Sequence, residues 1–221
     1  MNTKADQFTF DPEAHIGRVN GIVWPSVTQL LQEFKLVDYS GVDPEVLERK
    51  RRLGIRVHAA TVLLDEGRLD EEHFNKNFPE CVPYLEAYRK FRVIENFEPS
   101  YKEERYVSHK WKFHGQPDES GIHTCKIGQE TALIDYKCTF QMYASTGPQL
   151  AGYDMLLEEC RGVKTKKRFG LLLKPSGSFE LYPFTDKSDY MDFQCCIHLH
   201  WQKRNKYKTT KGEPQNDNAR D

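Results

Sequence analysis

The run Thr131-Ala132-Leu133-Ile134 passes directly into Asp135-Tyr136-Lys137. Apolar residues in a short unbroken run fit a strand buried inside a sheet, yet this strand ends on a carboxylate and an ammonium. Successive side chains of a strand alternate between faces, so Asp135 and Lys137 point one way and Tyr136 the other. Upstream, the turn Gly115-Gln116-Pro117-Asp118 ends on a second aspartate. The stretch between Asp118 and Asp135 reads as a hairpin with Gly128-Gln129-Glu130 as its turn, which brings Asp118 back beside Asp135. Two carboxylates and a lysine then share one small volume. Acidic oxygen ligands suit a hard divalent cation such as Mg²⁺, which keeps waters and takes further oxygens from a phosphate. The chemistry this arrangement favours is metal-assisted phosphodiester hydrolysis.

A chain of 221 residues is long enough for a substantial core, and no linker divides it. Residues 1–210 are expected to form one domain, followed by a disordered polar tail over 211–221. No apolar run approaches the length of a bilayer span. The stretch Met1 to Phe10 is polar and acidic, without the basic start and apolar core of a secretory signal, so a cytoplasmic protein of a bacterium or phage-infected host is expected. Six cysteines are scattered through a chain too large to need a disulfide framework, and reduced thiols are expected. Charge is uneven: residues 1–160 hold 19 Lys and Arg against 26 Asp and Glu, whereas residues 161–211 hold 12 against 4. A basic last part has two readings, a polyanionic partner or a solvated helix face.

Helical signals dominate the first half. Ser26 with Gln29 three residues on is a capping-box pattern ahead of Leu30 and Leu31. A long helix is predicted from Glu45 to Asp65 and another from Pro83 to Asn96, where Leu85, Tyr88, Phe91 and Ile94 repeat at helical spacing. Beyond Pro99 the period shifts to alternation. Tyr101 to Ser108, Trp111 to Gln116, Gly121 to Ile127 and Thr131 to Cys138 read as an antiparallel meander of successive strands. A helix follows from Gly147-Pro148 to Arg161-Gly162, then a hairpin over Arg168 to Lys174 and Ser178 to Pro183, and a last helix from Ser188 to Lys206.

Taken in order, Gly54-Ile55-Arg56-Val57-His58, Glu104, Gly115-Gln116-Pro117-Asp118, Asp135-Tyr136-Lys137 and Gln149-Leu150-Ala151-Gly152-Tyr153 form a series. The series resembles the PD-(D/E)XK nucleases, and within them the RecB-like and phage-type exonuclease branch. Even Pro25-Ser26-Val27-Thr28 is similar to the opening of several members. The resemblance implies an α/β fold with a restriction-endonuclease-like core: a central mixed sheet flanked by helices, with a helical N-terminal part. It implies Asp118 and Asp135 as metal ligands, the Tyr136 carbonyl as a further metal oxygen, and His58 as a ligand that tilts the choice of Mg²⁺ or Mn²⁺ toward Mn²⁺. Lys137 would orient the attacking water and offset charge on the transition state.

Glu104 is the expected acidic partner on the preceding strand, favoured over Glu103 by its spacing to Val107, although one register step decides between them. Gln149 and Tyr153 lie four apart on one helix face, placed to brace Lys137 or touch a phosphate. Ser26, Lys166 and Arg168 are further expected substrate contacts, and Trp111 or Tyr143 could stack bases. Cys195-Cys196-Ile197-His198-Leu199-His200 reads as helix packing, and the cysteine spacing argues against an iron-sulfur cluster. The implied activity is exonucleolytic DNA hydrolysis on single strands or duplex ends, in phage-like recombination or DNA processing, with a recombination or single-strand-binding protein as a partner. A structure-selective endonuclease and a catalytically silent DNA-binding module are the alternatives. The sequence leaves the oligomeric state open.

Overall fold

Four α-helices fill most of the chain between Val27 and Ile94, and the main sheet is built entirely from strands beyond it. The computed structural model describes residues 7–206. Three short strands come first, β1 (Phe8–Asp11), β2 (Ile16–Val19) and β3 (Ile22–Trp24), followed by helices α1 (Val27–Glu33), α2 (Pro44–Asp65) and α3 (Glu71–Asn77). After a 3-10 turn over Pro79–Cys81 come α4 (Val82–Ile94) and the strands β4 (Phe97–Lys102), β5 (Tyr106–Ser108), β6 (Phe113–Gly115), β7 (Glu119–Cys125) and β8 (Gly128–Lys137). The last elements are α5 (Thr146–Arg161), β9 (Lys167–Leu173), β10 (Phe179–Pro183) and α6 (Ser188–Lys206).

β8 is the middle of a five-stranded mixed sheet of order β10-β9-β8-β7-β4. It pairs antiparallel with β7 and parallel with β9. A parallel neighbour needs a crossover, and α5 supplies it. Ala132, Ile134 and Tyr136 face a core made with Val57, Ala60, Leu85, Tyr88 and Phe91 of α2 and α4. Leu133 faces a second core with Leu30, Leu150, Leu156 and Phe193 of α1, α5 and α6. Helices thus cover both faces, which is why the strand reads as an unbroken apolar run. Each such fully buried Leu or Phe contributes about 1.5–3 kcal/mol relative to exposure. Where β4 bulges between Pro99 and Tyr101, it approaches β7 so closely that a Cβ on Gly121 would lie 2.0 Å from the Glu98 carbonyl oxygen. Only glycine fits there.

The fold is the expected α/β class, a restriction-endonuclease-like core with helices on both sides of a mixed sheet. Several local expectations change. The residues before Trp24, for which no element was expected, form the antiparallel sheet β1-β2-β3, its last turn made by Asn20 (φ 50°) and Gly21 (φ 80°). The α3 helix was not anticipated. The expected strand from Tyr101 to Ser108 breaks at Glu103 (φ 51°), and β5 pairs with β6 outside the main sheet. Gly128 already pairs with Cys125, so the hairpin turns at Lys126-Ile127, earlier than expected. None of the six cysteines is bonded to another. Among the described residues no helix is long and apolar enough to cross a membrane. The tail over 211–221 lies outside the described residues.

Candidate metal centre

His58, Glu103, Asp118, Asp135 and Lys137 line one recess of about 900 Å³. The ladder between β7 and β8 ends with Glu119 opposite Ile134, so the next inward N–H, that of Tyr136, has lost its strand partner. Asp118 Oδ2 accepts it at 2.6 Å. Asp118 Oδ1 lies 3.3 Å from His58 Nδ1, and Glu103 Oε1 lies 3.2 Å from the same nitrogen. Ligand-type atoms of His58, Glu103 and Asp118 all lie within 4.8 Å of one another. Adjacent corners of an octahedron with bonds of about 2.0–2.1 Å stand roughly 3 Å apart, so this spacing fits a small divalent cation. Burial opposes a charge on His58, but Asp118 and then Glu103 outweigh it and hold the imidazole up to about 10. The cluster draws positive charge to its centre, whether a proton or a cation supplies it.

Glu103 reaches this position through its backbone. It follows β4 at φ 51°, and its N–H donates to the Asp118 carbonyl at 3.0 Å. A left-handed conformation at a residue with a Cβ costs about 1–2 kcal/mol, and here it turns the Glu103 side chain into the recess. Gln116 Nε2 donates to Glu103 Oε2 at 2.7 Å, and Arg105 donates to Gln116 Oε1 at 2.6 Å. The Arg105 guanidinium in turn lies 3.5 Å over the Phe10 ring. Both oxygens of Glu103 are therefore oriented, one by His58 and one by Gln116.

On the α5 side, Lys137 Nζ lies 2.5 Å from Asp135 Oδ2 and donates to Gln149 Oε1 at 2.9 Å. Gln149 Nε2 donates to the Tyr153 hydroxyl at 3.3 Å. Burial disfavours the ammonium, but Asp135 and then Asp118 more than offset this and raise Lys137. For Asp135, burial and then Asp118 outweigh the Lys137 ammonium and push the carboxyl up to about 6. Burial pulls Asp118 the same way, yet His58, Lys137 and the Tyr136 N–H hold it below the ordinary carboxylate range. Two close carboxyls driven apart in this way are a pattern of functional sites.

Beneath the recess lies a polar network. Glu119 is wholly buried, accepts from the Tyr136 hydroxyl and lies 3.2 Å from the Tyr88 oxygen. Tyr88 donates its one proton to the nearer Asp65 at 2.6 Å, and Asp65 takes Arg92 at 2.8 Å and Lys102 at 2.7 Å. Burial foremost raises the Glu119 carboxyl. Glu119 did not stand out in the sequence, because Tyr136 and Tyr88 lie 17 and 31 residues away from it.

The expected site residues divide. Asp118, Asp135, Lys137, His58, Gln149 and Tyr153 meet in the recess, with Gln149 and Tyr153 in line behind Lys137. Asp135 lines it but stands outside the three-residue ligand cluster, with Oδ2 against Lys137. The Tyr136 N–H donates to Asp118, and no contact among the described residues bears on its carbonyl as a metal oxygen. Glu104 points away, accepting from the Tyr106 hydroxyl at 2.7 Å and pairing with Arg161 at 2.5 Å, so Glu103 takes the place expected for it. The cause is the kink at Glu103, which ends the alternation assumed for a continuous strand. Ser26 caps α1 by accepting from the Gln29 N–H at 3.2 Å and lines a neighbouring groove. Arg168 is buried and holds Asp189 at 2.9 Å and the Asp186 carbonyl at 2.7 Å, so its donors serve the fold. Lys166 is exposed but lines a separate cleft with Lys110, Lys164 and Lys187. Met155, Glu158 and Glu159 place that cleft toward the far end of α5. Trp111 is half-buried against the second core. Cys196 is buried in that core, and His200 pairs with Glu33 at 2.6 Å. Gly54 lines the recess four residues before His58, with nothing within 4 Å of where a Cβ would stand. Close packing is thus not its reason.

No protein-family model matches the chain, and no curated protein does. Two solved structures resemble it loosely. One, named "Putative exonuclease" from Eubacterium rectale, is 12% identical with a TM-score of 0.45, over 73% of this chain and 69% of that one. The other, named SSO0001, is 13% identical with a TM-score of 0.34, over 70% of each chain. Likeness this slight carries no conclusion about activity.

Proposed function

We propose that this chain is a divalent-metal-dependent deoxyribonuclease that hydrolyses DNA phosphodiester bonds as an exonuclease in recombination or DNA processing. The observation that carries the reading is the convergence of His58, Glu103 and Asp118, from α2, the end of β4 and the start of β7, beside the Asp135–Lys137 pair of β8. Mg²⁺ or Mn²⁺ held there would supply Lewis-acid polarisation of a phosphoryl oxygen and acidify a water. Carboxylates suit either ion, and the His58 imidazole favours Mn²⁺. Lys137, fixed between Asp135 and Gln149, presents a compact positive charge to the phosphate and orients the attacking water. Asp118 is held ionised beside it, and Asp135 fixes the Lys137 ammonium.

Two substitutions separate the roles. Lys137→Ala should lower cleavage by about 100- to 1,000-fold while Mn²⁺ binding by calorimetry persists, the scale of losing one preorganised transition-state partner. Asp118→Ala should lose both. Cleavage by Asp118→Ala at the parent rate would sink the assignment. Circular single-stranded DNA should stay intact, and its linearisation would replace the exonuclease with an endonuclease.

A further inference from the structure

Phe140 follows Lys137 closely in the chain and takes no part in the chemistry above. Phe140 is 94% exposed, the most exposed of the large hydrophobic residues described, and Tyr39 and Tyr143 are each 49% exposed. Phe140 follows Lys137 by three residues, so their Cα atoms lie within about 11 Å whatever path the chain takes. Tyr39 lies in the connection between α1 and α2. The Tyr143 carbonyl accepts the Thr146 N–H at 3.0 Å as α5 begins.

The segment carrying Phe140 is anchored. Cys138 is buried before it, and the Thr139 hydroxyl donates to the Gln141 carbonyl at 2.8 Å. Met142 packs so tightly over Gly170 that a Cβ there would lie 2.6 Å from its Sδ. Gly170 is the β9 partner of Asp135. The chain is thus held on both sides of a phenyl ring that is turned to water, where it forgoes the burial such a ring seeks.

The first half of α2 carries Arg49, Lys50, Arg51 and Arg52, of which Arg51 and Arg52 share Glu48 at 2.8 and 2.7 Å, leaving a net positive surface. Arg51 lines a groove that shares His15, Thr28, Ile55 and Tyr153 with the metal recess. Cations that follow a backbone and open aromatic faces that take bases are the two requirements for holding a single nucleic-acid strand. A duplex keeps its base faces covered by stacking and offers these rings nothing.

We infer that Phe140 stacks an unpaired base beside the reacting phosphate, so that single-stranded DNA rather than duplex is the substrate of this site. This rests on the nuclease reading. The test is fluorescence anisotropy of the full chain in EDTA with a labelled single-stranded oligonucleotide and with the blunt duplex of the same sequence. The parent should prefer the single strand. Phe140→Ala should weaken single-strand binding by about 10-fold, the scale of one stacked base, and leave duplex binding within roughly 2-fold. Phe140→Trp should keep the affinity and Phe140→Leu should lose it. Ile127→Ala, another exposed apolar residue at the tip of the β7–β8 hairpin, should change neither. Unchanged single-strand affinity in Phe140→Ala, an equal loss on duplex, or retention by Phe140→Leu overturns the inference. So does a dimer in sedimentation that Phe140→Ala dissolves, which would make a second copy the occupant. If Phe140→Ala binds as the parent does while metal-dependent cleavage persists, only this inference falls. If the parent binds and cleaves no DNA, the nuclease reading falls with it.

Discussion

Glu103 and Glu104 are the same chemical group, and one left-handed backbone angle decides which of them meets His58. Glu103→Ala should therefore cut Mn²⁺ affinity and cleavage by more than about 100-fold, since even partners one shell further out reach that scale. Glu104→Ala should stay within roughly 3-fold of the parent in the same calorimetric and cleavage assays, because the pair with Arg161 and the Tyr106 hydroxyl bond that it loses both lie away from the recess. Periodicity favoured Glu104 because it assumes that a strand continues, and a kink after Lys102 leaves no mark in an alternation pattern. Asp118, Asp135 and Lys137 were legible for the opposite reason: a short hairpin and a regular strand fix their relation locally. Arg168 shows a further limit. A basic residue before an apolar strand looks like a phosphate contact until Asp189, twenty-one residues on, is found to occupy it.

Among the elements, α2 carries a contradiction within itself. It is a 22-residue helix, capped by Asp43 and started by Pro44, with an unpacked glycine in its interior. Gly54→Ala should raise the unfolding free energy by about 0.8–1.0 kcal/mol in urea titrations, the propensity difference with no clash to offset it. A methyl there would also enter the recess, so the more stable variant should cleave more slowly. The long helices could be read from sequence because caps, prolines and repeated apolar spacing agree over many residues. The β1-β2-β3 sheet and α3 could not, since strands of 3 or 4 residues and a helix of 7 are held by what they pack against. Even so, the Asn20-Gly21 turn was a usable hairpin signal.

The molecule as a whole depends on pH through His114, which joins the N-terminal sheet to the rest. It is fully buried, its Nδ1 lies 3.3 Å from Arg105, and the Phe8 and Phe10 rings pack at 5.5 and 5.8 Å. Burial and then the Arg105 charge push the imidazole down to about 4. Unfolded, it titrates near 6.5. Between those values the unfolded chain binds a proton that the folded chain refuses, so this stability is complete above about 6.5 and is lost as pH falls toward 4. The loss is on the order of 3 kcal/mol, and thermal melts from pH 7 to 4 should show it reduced by a comparable amount in His114→Asn. Asp118 and Glu119 give the molecule a different kind of constraint. They are consecutive residues, one opening on the recess and the other sealed among Tyr136 and Tyr88, so a single peptide unit couples the reactive surface to the deepest interior. A lineage could not widen this pocket for a bulkier substrate without uncorking the carboxylate below it. Diversification is left to the rim, where exposed Ile55 and Arg68 can vary without disturbing the interior.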